Sequence, residues 1–287
     1  MKILVLGGTG MAGHTIALYF IEAGHDVTVF STKAVSFCRT IIGDITDFDY
    51  TKTLVEQGNF DAIINAIGIL NEAAENNKSQ AVLINTYLPH FLSDLIKNSK
   101  TKLIHMSTDC VFSGDKGGYS ENDLKDGKTF YDKTKALGEV INDKDLTFRN
   151  SIIGPDMSEN GIGLFNWFMK QETQINGFCK AIWTGVTTLT LAKAMEKAII
   201  DNITGVYNLV NNEKISKYSL LKLFNKHFKD DKILIEEDYR TAPDKSLINN
   251  RQDFSFVVPT YEEMIVEMKE WIYKFNNLYP HYFKKGE

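Results

Sequence analysis

The sequence predicts an α/β fold, in which a doubly wound parallel sheet carries a smaller, interleaved C-terminal lobe. Short apolar strands alternate with amphipathic helices up to about residue 150. A glycine-rich turn follows the first strand, and the alternation stops after Gly154-Pro155, where aromatic residues become frequent. Strands joined by helices form parallel sheets with right-handed crossovers. We therefore expect a nucleotide-binding domain over residues 1–154 and a lobe mainly over residues 155–287.

Composition narrows the possible functions. The chain has 287 residues and a net charge of -5, and its only basic cluster is Lys284–Lys285, which predicts no nucleic-acid partner. Cys38, Cys110 and Cys179 lie far apart without a CxxC or histidine pattern, so neither a disulfide framework nor a metal site is expected. Without an apolar run of about 18 residues, no membrane span is expected, and the protein is predicted to be cytoplasmic.

The first strand, Lys2–Leu6, leads into a glycine-rich turn and then into a helix through about Ala23. Gly8, Gly10 and Gly13 satisfy the G-x-G-x-x-G pattern. In such a turn, glycine lets a pyrophosphate approach the free N–H groups and the positive dipole end of the helix. The pattern favours a Rossmann-type dinucleotide site over a merely structural turn, with contacts from Gly7, Gly10, Met11 and Gly13.

The second strand, Asp26–Phe30, is followed by Ser31, Thr32 and Lys33. An acidic residue at this point would bind the ribose 2′-hydroxyl of NAD, whereas hydroxyls and a lysine favour a 2′-phosphate. We therefore predict that NADP(H) is preferred and that NAD(H) is possible. The alternative is that these residues form only a polar turn.

The third and fourth strands, Thr40–Ile42 and Asp61–Ile67, each deliver candidate cofactor contacts. After the third strand, the Asp44 carboxylate could accept from the adenine amine and Ile45 could pack on the ring; the alternative for this turn is a helix cap. The small residues that end the fourth strand would lie beside the nicotinamide half of the cofactor: Asn65, Ala66 and Ile67.

A helix predicted from about Ser79 to Lys97 carries Asn85 within its apolar face. A buried amide needs a hydrogen-bond partner. A bridging role near the active site and a simple buried hydrogen bond both remain open for Asn85.

The fifth strand, Lys102–Met106, delivers Thr108 and its neighbours to the carboxyl edge of the sheet, where ligands bind in open α/β sheets. A surface loop then leads to a helix with Tyr131 and Lys135, four residues apart and thus on one face. A cation there would lower the pKa of the phenol and make Tyr131 a usable proton donor. Tyr218 and Lys222 have the same spacing without a glycine turn before them, so we interpret them as a chance match.

The later elements begin with a strand at Leu146–Arg149 and a helix at Leu189–Ile200. A strand near residues 205–210 is expected to return to the main sheet. Helices are expected at Ser216–Phe228 and Tyr261–Phe275.

Several short motifs, taken together, identify a family. They are GGTGMAG near residue 10, Gly43-Asp44-Ile45, Asn65-Ala66-Ile67-Gly68, the run Ser107 to Phe112, Tyr131-x-x-x-Lys135 with Gly138-Glu139, and Arg149 to Pro155. In these motifs the chain resembles the extended short-chain dehydrogenases/reductases, most closely the dTDP-4-dehydrorhamnose reductase branch, over nearly its whole length.

The resemblance implies NADPH-dependent reduction of the C4 ketone of a nucleotide-linked 4-keto-6-deoxy sugar, in the synthesis of surface polysaccharide precursors. It implies a catalytic set of Thr108, Tyr131 and Lys135, with Tyr131 and Lys135 also contacting the cofactor. The related 4,6-dehydratases resemble this arrangement but carry Asp-Glu after the threonine. Here Cys110 follows Asp109, which disfavours dehydration. The family often has glycine where Asp132 stands.

For the substrate, the resemblance implies contacts from Asn85, Thr108, Asp109 and Cys110 around the sugar. In the lobe, Trp167, Lys180 and Trp183 are candidates for the nucleotide, because an aromatic face suits a base and a cation suits a diphosphate. The alternative for the tryptophans is a core position. A homodimer is possible. Two other functions remain open: an epimerase with tightly bound NAD, and a non-catalytic dinucleotide-binding regulator.

Overall fold

The computed structural model describes residues 1–283, so Lys284 and Lys285 lie outside the described part. Its central sheet is parallel throughout and has seven strands. The chain forms the following strands in order: β1 (Lys2–Leu6), β2 (Asp26–Ser31), β3 (Arg39–Ile42), β4 (Ala62–Asn65), β5 (Lys102–Met106), β6 (Leu146–Arg149), β7 (Ser151–Ile153), β8 (Gln174–Phe178), β9 (Ile182–Trp183), β10 (Gly185–Thr187), β11 (Gly205–Asn208), β12 (Ile215–Ser216) and β13 (Leu234–Asp238).

The strand order in the central sheet is β11-β6-β5-β4-β1-β2-β3, which confirms the predicted Rossmann-type fold. Leu6, at the end of β1, lies beside Phe30 of β2 and Asn65 of β4. The residues that follow these three strands therefore emerge together at the carboxyl edge. Because β1 has β2 on one side and β4 on the other, this edge contains the switch point where doubly wound folds bind ligands.

Helices cover both faces of the sheet and also build the lobe. They are α1 (Met11–Glu22), α2 (Phe48–Gly58), α3 (Asn71–Asn76), α4 (Lys78–Ala81), a π-helix (Val82–Tyr87), α5 (Leu88–Ile96), α6 (Phe130–Leu137), α7 (Leu164–Met169), α8 (Thr188–Ile200), α9 (Lys217–Phe228) and α10 (Tyr261–Lys274). The helix predicted from Ser79 to Lys97 is thus interrupted by a π-helical segment, a feature that is frequent at functional sites.

The central strands are buried on both faces, as parallel sheets require. Ile3 and Val5 of β1 face a large hydrophobic cluster with α1 and α8, while Leu4 and Leu6 face a second cluster with α5. All four side chains are fully buried. This two-sided burial explains why β1 is a continuous apolar run.

The lobe is interleaved with the main domain. Three two-stranded sheets, β7 with β10, β8 with β13 and β9 with β12, lie outside the central sheet. Between them the chain returns to the main domain, because α8 packs against α1 and β11 pairs in parallel with β6. Within residues 1–283, no helix has the length and apolar character needed to cross a membrane.

Candidate active site

The glycine-rich turn between β1 and α1 contains glycines with two different tasks. Gly7 has a φ of 87°, and a Cβ on Gly13 would lie 2.2 Å from the Gly7 carbonyl oxygen, so the turn itself requires both glycines. Gly10 is exposed, has a φ of -83°, and would hold a Cβ no closer than 3.6 Å to another atom. Since the protein does not need glycine there, the open space points to a ligand.

Gly10 is also the N-cap of α1, and no side chain caps this end of the helix. Helix N-termini have free N–H groups and a positive dipole end, which bind phosphates. The turn therefore has free N–H groups and room for the pyrophosphate of a dinucleotide, and the contacts of Gly7, Gly10, Met11 and Gly13 with it stay predictions.

The residues after β2 are arranged as a turn with one buried and two exposed side chains. The Ser31 hydroxyl donates to the Lys33 carbonyl oxygen at 2.5 Å, so it already has a partner within the protein. Thr32 and Lys33 are exposed at the carboxyl edge. The contact with a 2′-phosphate remains a prediction, carried by Thr32 and Lys33 rather than by Ser31.

In the turn after β3, the acidic side chains bond within the protein, which agrees with the alternative of a helix cap. Asp44 accepts from the backbone N–H and the hydroxyl of Thr46, at 2.9 and 2.8 Å, and these bonds lower the pKa of its carboxyl group. Asp47 caps α2 by accepting from the N–H of Tyr50. Ile45 is buried in the core beside α2. Its packing on adenine stays a prediction, as does the contact of Asp44 with the adenine amine.

The segment after β4 closes one wall of the glycine-rich turn. Asn65 is fully buried; its side chain accepts from the N–H of Ile67 and contacts His105 Nδ1, both at 3.2 Å. A Cβ on Gly7 would lie 2.9 Å from Ile67. Asn65 therefore shapes the chain internally, while Ala66 and Ile67 remain half-buried beside the turn.

Thr108 and Tyr131 come together where β5 ends and α6 begins. The Thr108 hydroxyl donates to the Asp109 carboxylate at 3.0 Å and accepts from the N–H of Cys110 at 3.1 Å. Both Thr108 and Tyr131 are buried. Burial and the neighbouring Cys110 raise the pKa of the Tyr131 phenol, whereas a hydrogen bond with Thr108 lowers it; the pKa remains above its ordinary value.

Lys135 lies one turn further along α6 and is almost fully buried. Its ammonium donates to the Met106 carbonyl oxygen at 2.6 Å. Burial lowers the pKa of Lys135 to about 8, against the opposing effect of Glu139. The predicted lowering of the Tyr131 pKa is wrong for this structure, because burial of the phenol outweighs the effects that lower its pKa, and the Lys135 ammonium bonds to a backbone carbonyl.

Asn85 is a structural bridge rather than an exposed contact. Its side chain accepts from the N–H of Ile69 at 2.9 Å and donates to the Ile69 carbonyl at 2.8 Å and the Thr134 hydroxyl at 3.2 Å. It is fully buried. A Cβ on Gly138 would lie 1.8 Å from the Asn85 carbonyl oxygen, so glycine is required for this close packing. The predicted substrate contact of Asn85 is not supported, because its polar atoms are used within the protein.

A buried ionic network fixes α6 against the sheet. Glu139 accepts from Arg149 Nε at 2.6 Å and Nη2 at 2.7 Å, from the Ser107 hydroxyl at 2.7 Å and from Lys125 at 3.1 Å. Arg149 and Glu139 are both buried. The residues that end β5, α6 and β6 are thereby held in one arrangement around Tyr131 and Lys135.

Asp132, which stands where the family often has glycine, completes a capping box at the start of α6 with Thr129. Its carboxylate also lies 3.5 Å from the ammonium of Lys245. This ion pair connects α6 to the segment around Lys245, which was not predicted to be part of the site.

Two lysines near Asp109 were not predicted from the sequence to belong to the site. Burial raises the pKa of Asp109, while the nearby charges of Lys245 and Lys217 act in the opposite direction. The thiol of Cys110 is half-buried, and burial raises its pKa to about 12. No local pattern marks Lys217 or Lys245, because folding alone brings their segments to this edge.

The predicted lobe contacts separate into two groups. Trp183 is buried, donates to the Ser151 hydroxyl at 2.9 Å and packs against Tyr261, so its predicted substrate contact is not supported and the core alternative applies. Trp167 on α7 is 43% exposed and Lys180 is exposed, so both remain available to a ligand. Within residues 1–283, no group of three or more metal-binding side chains is placed to hold a metal ion.

Comparisons with known proteins agree with this arrangement. A family model described as the RmlD substrate binding domain matches residues 1–246. A dTDP-4-dehydrorhamnose reductase of Aggregatibacter actinomycetemcomitans is 24% identical over 229 residues, which cover 76% of each chain.

Solved structures show the same fold. A dTDP-4-dehydrorhamnose reductase from Bacillus anthracis, solved in complex with NADP, superimposes with a TM-score of 0.79 at 20% identity, covering 93% of this chain and 99% of the other. The Bordetella bronchiseptica enzyme WbmG, in complex with NAD and UDP, gives a TM-score of 0.78 at 14% identity and covers 96% of each chain.

Proposed function

The chain belongs to the RmlD substrate binding domain family of the extended short-chain dehydrogenases/reductases, and from this membership we propose that it is an NADPH-dependent reductase. Its proposed substrate is a nucleotide-linked 4-keto-6-deoxy sugar, reduced at the C4 ketone to supply surface polysaccharide synthesis. The observation that carries the proposal is the meeting of Thr108, Tyr131 and Lys135 at the carboxyl edge beside the glycine-rich turn.

The protein groups supply the acid side of the reaction. When bound, the nicotinamide cofactor supplies the hydride for the ketone carbon. Tyr131 donates its phenolic proton to the ketone oxygen, and its raised pKa keeps the phenol protonated at neutral pH until charge develops there. The Thr108 hydroxyl donates to Asp109 in this structure. In the proposed complex it turns and donates a hydrogen bond to the ketone oxygen instead.

Lys135 supplies positive charge beneath the reacting groups. With a pKa of about 8, its ammonium is mostly protonated at neutral pH, although it is buried. In the proposed complex it binds the nicotinamide ribose and stabilises the phenolate left after proton transfer. Its bond to the Met106 carbonyl fixes its position.

For the substrate, the charges at the edge favour a diphosphate. Lys217 and Lys245 lie near Asp109, and Lys180 and Trp167 are exposed on the lobe. Cations bind phosphate oxygens, and an exposed aromatic face can stack on a base. These side chains support a nucleotide sugar as the substrate.

A screen of nucleotide 4-keto sugars with NADPH and NADH tests the proposal. We expect one NADPH to be oxidised for each product formed, with a product mass two hydrogens above the substrate, and slower oxidation of NADH. An epimerase would convert the sugar without net cofactor oxidation and would copurify with NAD. Cofactor binding without turnover of any nucleotide 4-keto sugar would refute the reductase proposal.

A further inference from the structure

The side chain of His14 connects the glycine-rich turn to the C-terminal segment of the protein. His14 lies in the first turn of α1 and is fully buried. Its Nδ1 lies 2.9 Å from the Gly10 carbonyl oxygen, and its Nε2 lies 2.8 Å from the Tyr279 hydroxyl. The family match ends at residue 246, so Tyr279 lies beyond it. Neither side chain takes part in the chemistry proposed above.

These distances define the tautomer of His14. The Gly10 carbonyl can only accept, so Nδ1 carries the proton and donates, and Nε2 then accepts from the Tyr279 hydroxyl. Burial lowers the pKa of His14, which agrees with a neutral ring. Tyr279 is fully buried and meets the imidazole edge to face at 5.6 Å between ring centres. The Tyr279 hydroxyl therefore provides the second hydrogen bond of this tautomer, and the Thr15 hydroxyl lies 3.4 Å from the same nitrogen.

The bond to Gly10 fixes the direction of a peptide group at the open end of α1. The Gly10 carbonyl accepts both from the His14 backbone N–H at 3.1 Å and from Nδ1. In a trans peptide the carbonyl and the following N–H point in opposite directions. Holding the carbonyl towards the helix therefore directs the Met11 N–H away from the helix.

The same C-terminal segment also holds the lobe beside this turn. The Tyr282 hydroxyl donates to the Asn166 side chain and accepts from the N–H of Asp156 at 2.9 Å. Asn166 donates to the Ile162 carbonyl at 2.8 Å, and its amide nitrogen lies 3.9 Å from the Met11 sulfur. Tyr279 thus contacts α1 through His14, and Tyr282 contacts the lobe through Asn166, so one short segment binds both elements that adjoin the turn.

We propose that His14 is a positioning residue for the cofactor pyrophosphate and that Tyr279 anchors its ring through Nε2. This inference rests on the proposed function, because it assumes that the turn binds a dinucleotide. It assigns a role in cofactor affinity to a phenol close to the C-terminus.

Two substitutions separate the two bonds of the imidazole. His14→Asn places an amide nitrogen where Nδ1 stands and can still donate to Gly10, whereas His14→Gln reaches the position of Nε2 and loses that donor. NADPH binding to the full chain is measured by isothermal titration calorimetry, with a thermal melt of each variant. We expect His14→Gln to weaken binding about tenfold and His14→Asn by less than about threefold, since a hydrogen bond contributes roughly a factor of ten.

Tyr279→Phe removes only the phenolic hydroxyl, and we expect an intermediate loss of NADPH affinity. Its matched control is Tyr261→Phe on α10, which removes a buried phenol that packs against Trp183 and donates to the Glu213 carbonyl. The control is expected to bind NADPH as the wild type does.

Equal NADPH affinity of the wild type and His14→Gln would overturn the positioning role while leaving the proposed function intact. Equal weakening in His14→Asn and His14→Gln, in step with a lower melting temperature, would overturn it as well, since His14 would then be merely structural. A wild type that binds no dinucleotide would overturn both the inference and the proposed function.

Discussion

Two clusters of charged and polar groups lie on α6 and just beyond its C-terminal end, and their electrostatics differ. The paired cluster consists of Glu139, Arg149, Ser107 and Lys125, in which the Glu139 carboxylate meets two guanidinium nitrogens, an ammonium and a hydroxyl. Burial alone would raise the pKa of Glu139, but Arg149 and the other partners outweigh it and lower that pKa.

The reactive cluster consists of Thr108, Tyr131 and Lys135. Here the ammonium of Lys135 meets a backbone carbonyl rather than a carboxylate, and burial lowers its pKa to about 8. Burial likewise raises the pKa of Tyr131. In this cluster burial favours the neutral forms.

The difference shows how neighbouring residues serve two purposes. Tyr131 and Lys135 lie one turn apart on α6, and Glu139 follows directly after its C-cap, Gly138. The compensated charges hold the helix, whereas the incompletely compensated groups can change protonation state during a reaction. Strongly shifted pKa values beside a ligand site are typical of functional residues.

The substitution with the largest expected effect is Tyr131→Phe, which tests the reactive cluster. We expect the rate of NADPH oxidation with a nucleotide 4-keto sugar to fall about 10³-fold, because a general acid contributes roughly 10² to 10⁴. NADPH affinity and stability should remain near the wild-type values. The matched control is Tyr218→Phe, which has the same spacing to a lysine and lies on α9 in the lobe. Full activity in Tyr131→Phe would exclude Tyr131 as the proton donor.

In the paired cluster, Arg149→Met should affect stability first. It leaves Glu139 buried without its main partner, and we expect the free energy of unfolding to fall by about 3–5 kcal/mol. The double variant with Glu139→Gln should recover part of this loss, measured by urea unfolding. The exposed Lys128–Asp115 pair is the control, since Lys128→Met should leave the urea midpoint unchanged. An Arg149→Met protein as stable as the wild type would remove the distinction between the clusters.

Lys135→Met should have the opposite effect on stability. Removing an ammonium that is buried against a carbonyl should raise the free energy of unfolding by about 1–3 kcal/mol. Activity should be lost in the same variant, whereas Lys133→Met, on the exposed face of α6, should change neither property. Urea unfolding and the NADPH assay measure the two effects. A Lys135→Met protein that is both less stable and active would contradict the role of this residue.

The smallest expected effect is the pH dependence. Lys135 loses its proton as the pH rises through about 8, so kcat/KM for the sugar should be constant below that pH and fall above it by about tenfold per unit. Stability should move the other way. Between about 8 and 10.5 the unfolded chain binds more protons at this lysine than the folded chain does, so the contribution of Lys135 to the unfolding free energy rises with pH.

Lys102 serves as the control for the pH profile. Burial lowers its pKa to about 8 as well, but its ammonium donates to the Lys144 carbonyl and to Asn202, away from Tyr131. Lys102→Met should therefore keep the wild-type profile of kcat/KM. A pH profile of kcat/KM that changes in the Lys102→Met variant would show that Lys102, and not Lys135, causes the fall in activity above about pH 8.

Much of the site could be predicted because its motifs are local. The glycine-rich turn, Thr108 at the end of β5 and the Tyr131–Lys135 pair each occupy a few neighbouring residues, and parallel strands bring them to one edge. The predicted substrate contacts that the structure does not support involve side chains that are buried and already hydrogen-bonded within the protein. Asn85 and Trp183 have the right chemistry for a ligand, but their partners, Ile69, Thr134 and Ser151, are set by packing.

By itself, the sequence determined the alternation of strands and helices, the parallel sheet and the place of the cofactor turn, because hydrophobic periodicity and glycine spacing are properties of neighbouring residues. Only the tertiary structure decided that Lys217 and Lys245 face Asp109, that Tyr279 holds His14, and that burial raises the pKa of Tyr131. These features depend on segments distant in the chain and on exclusion of water, which leave no local pattern.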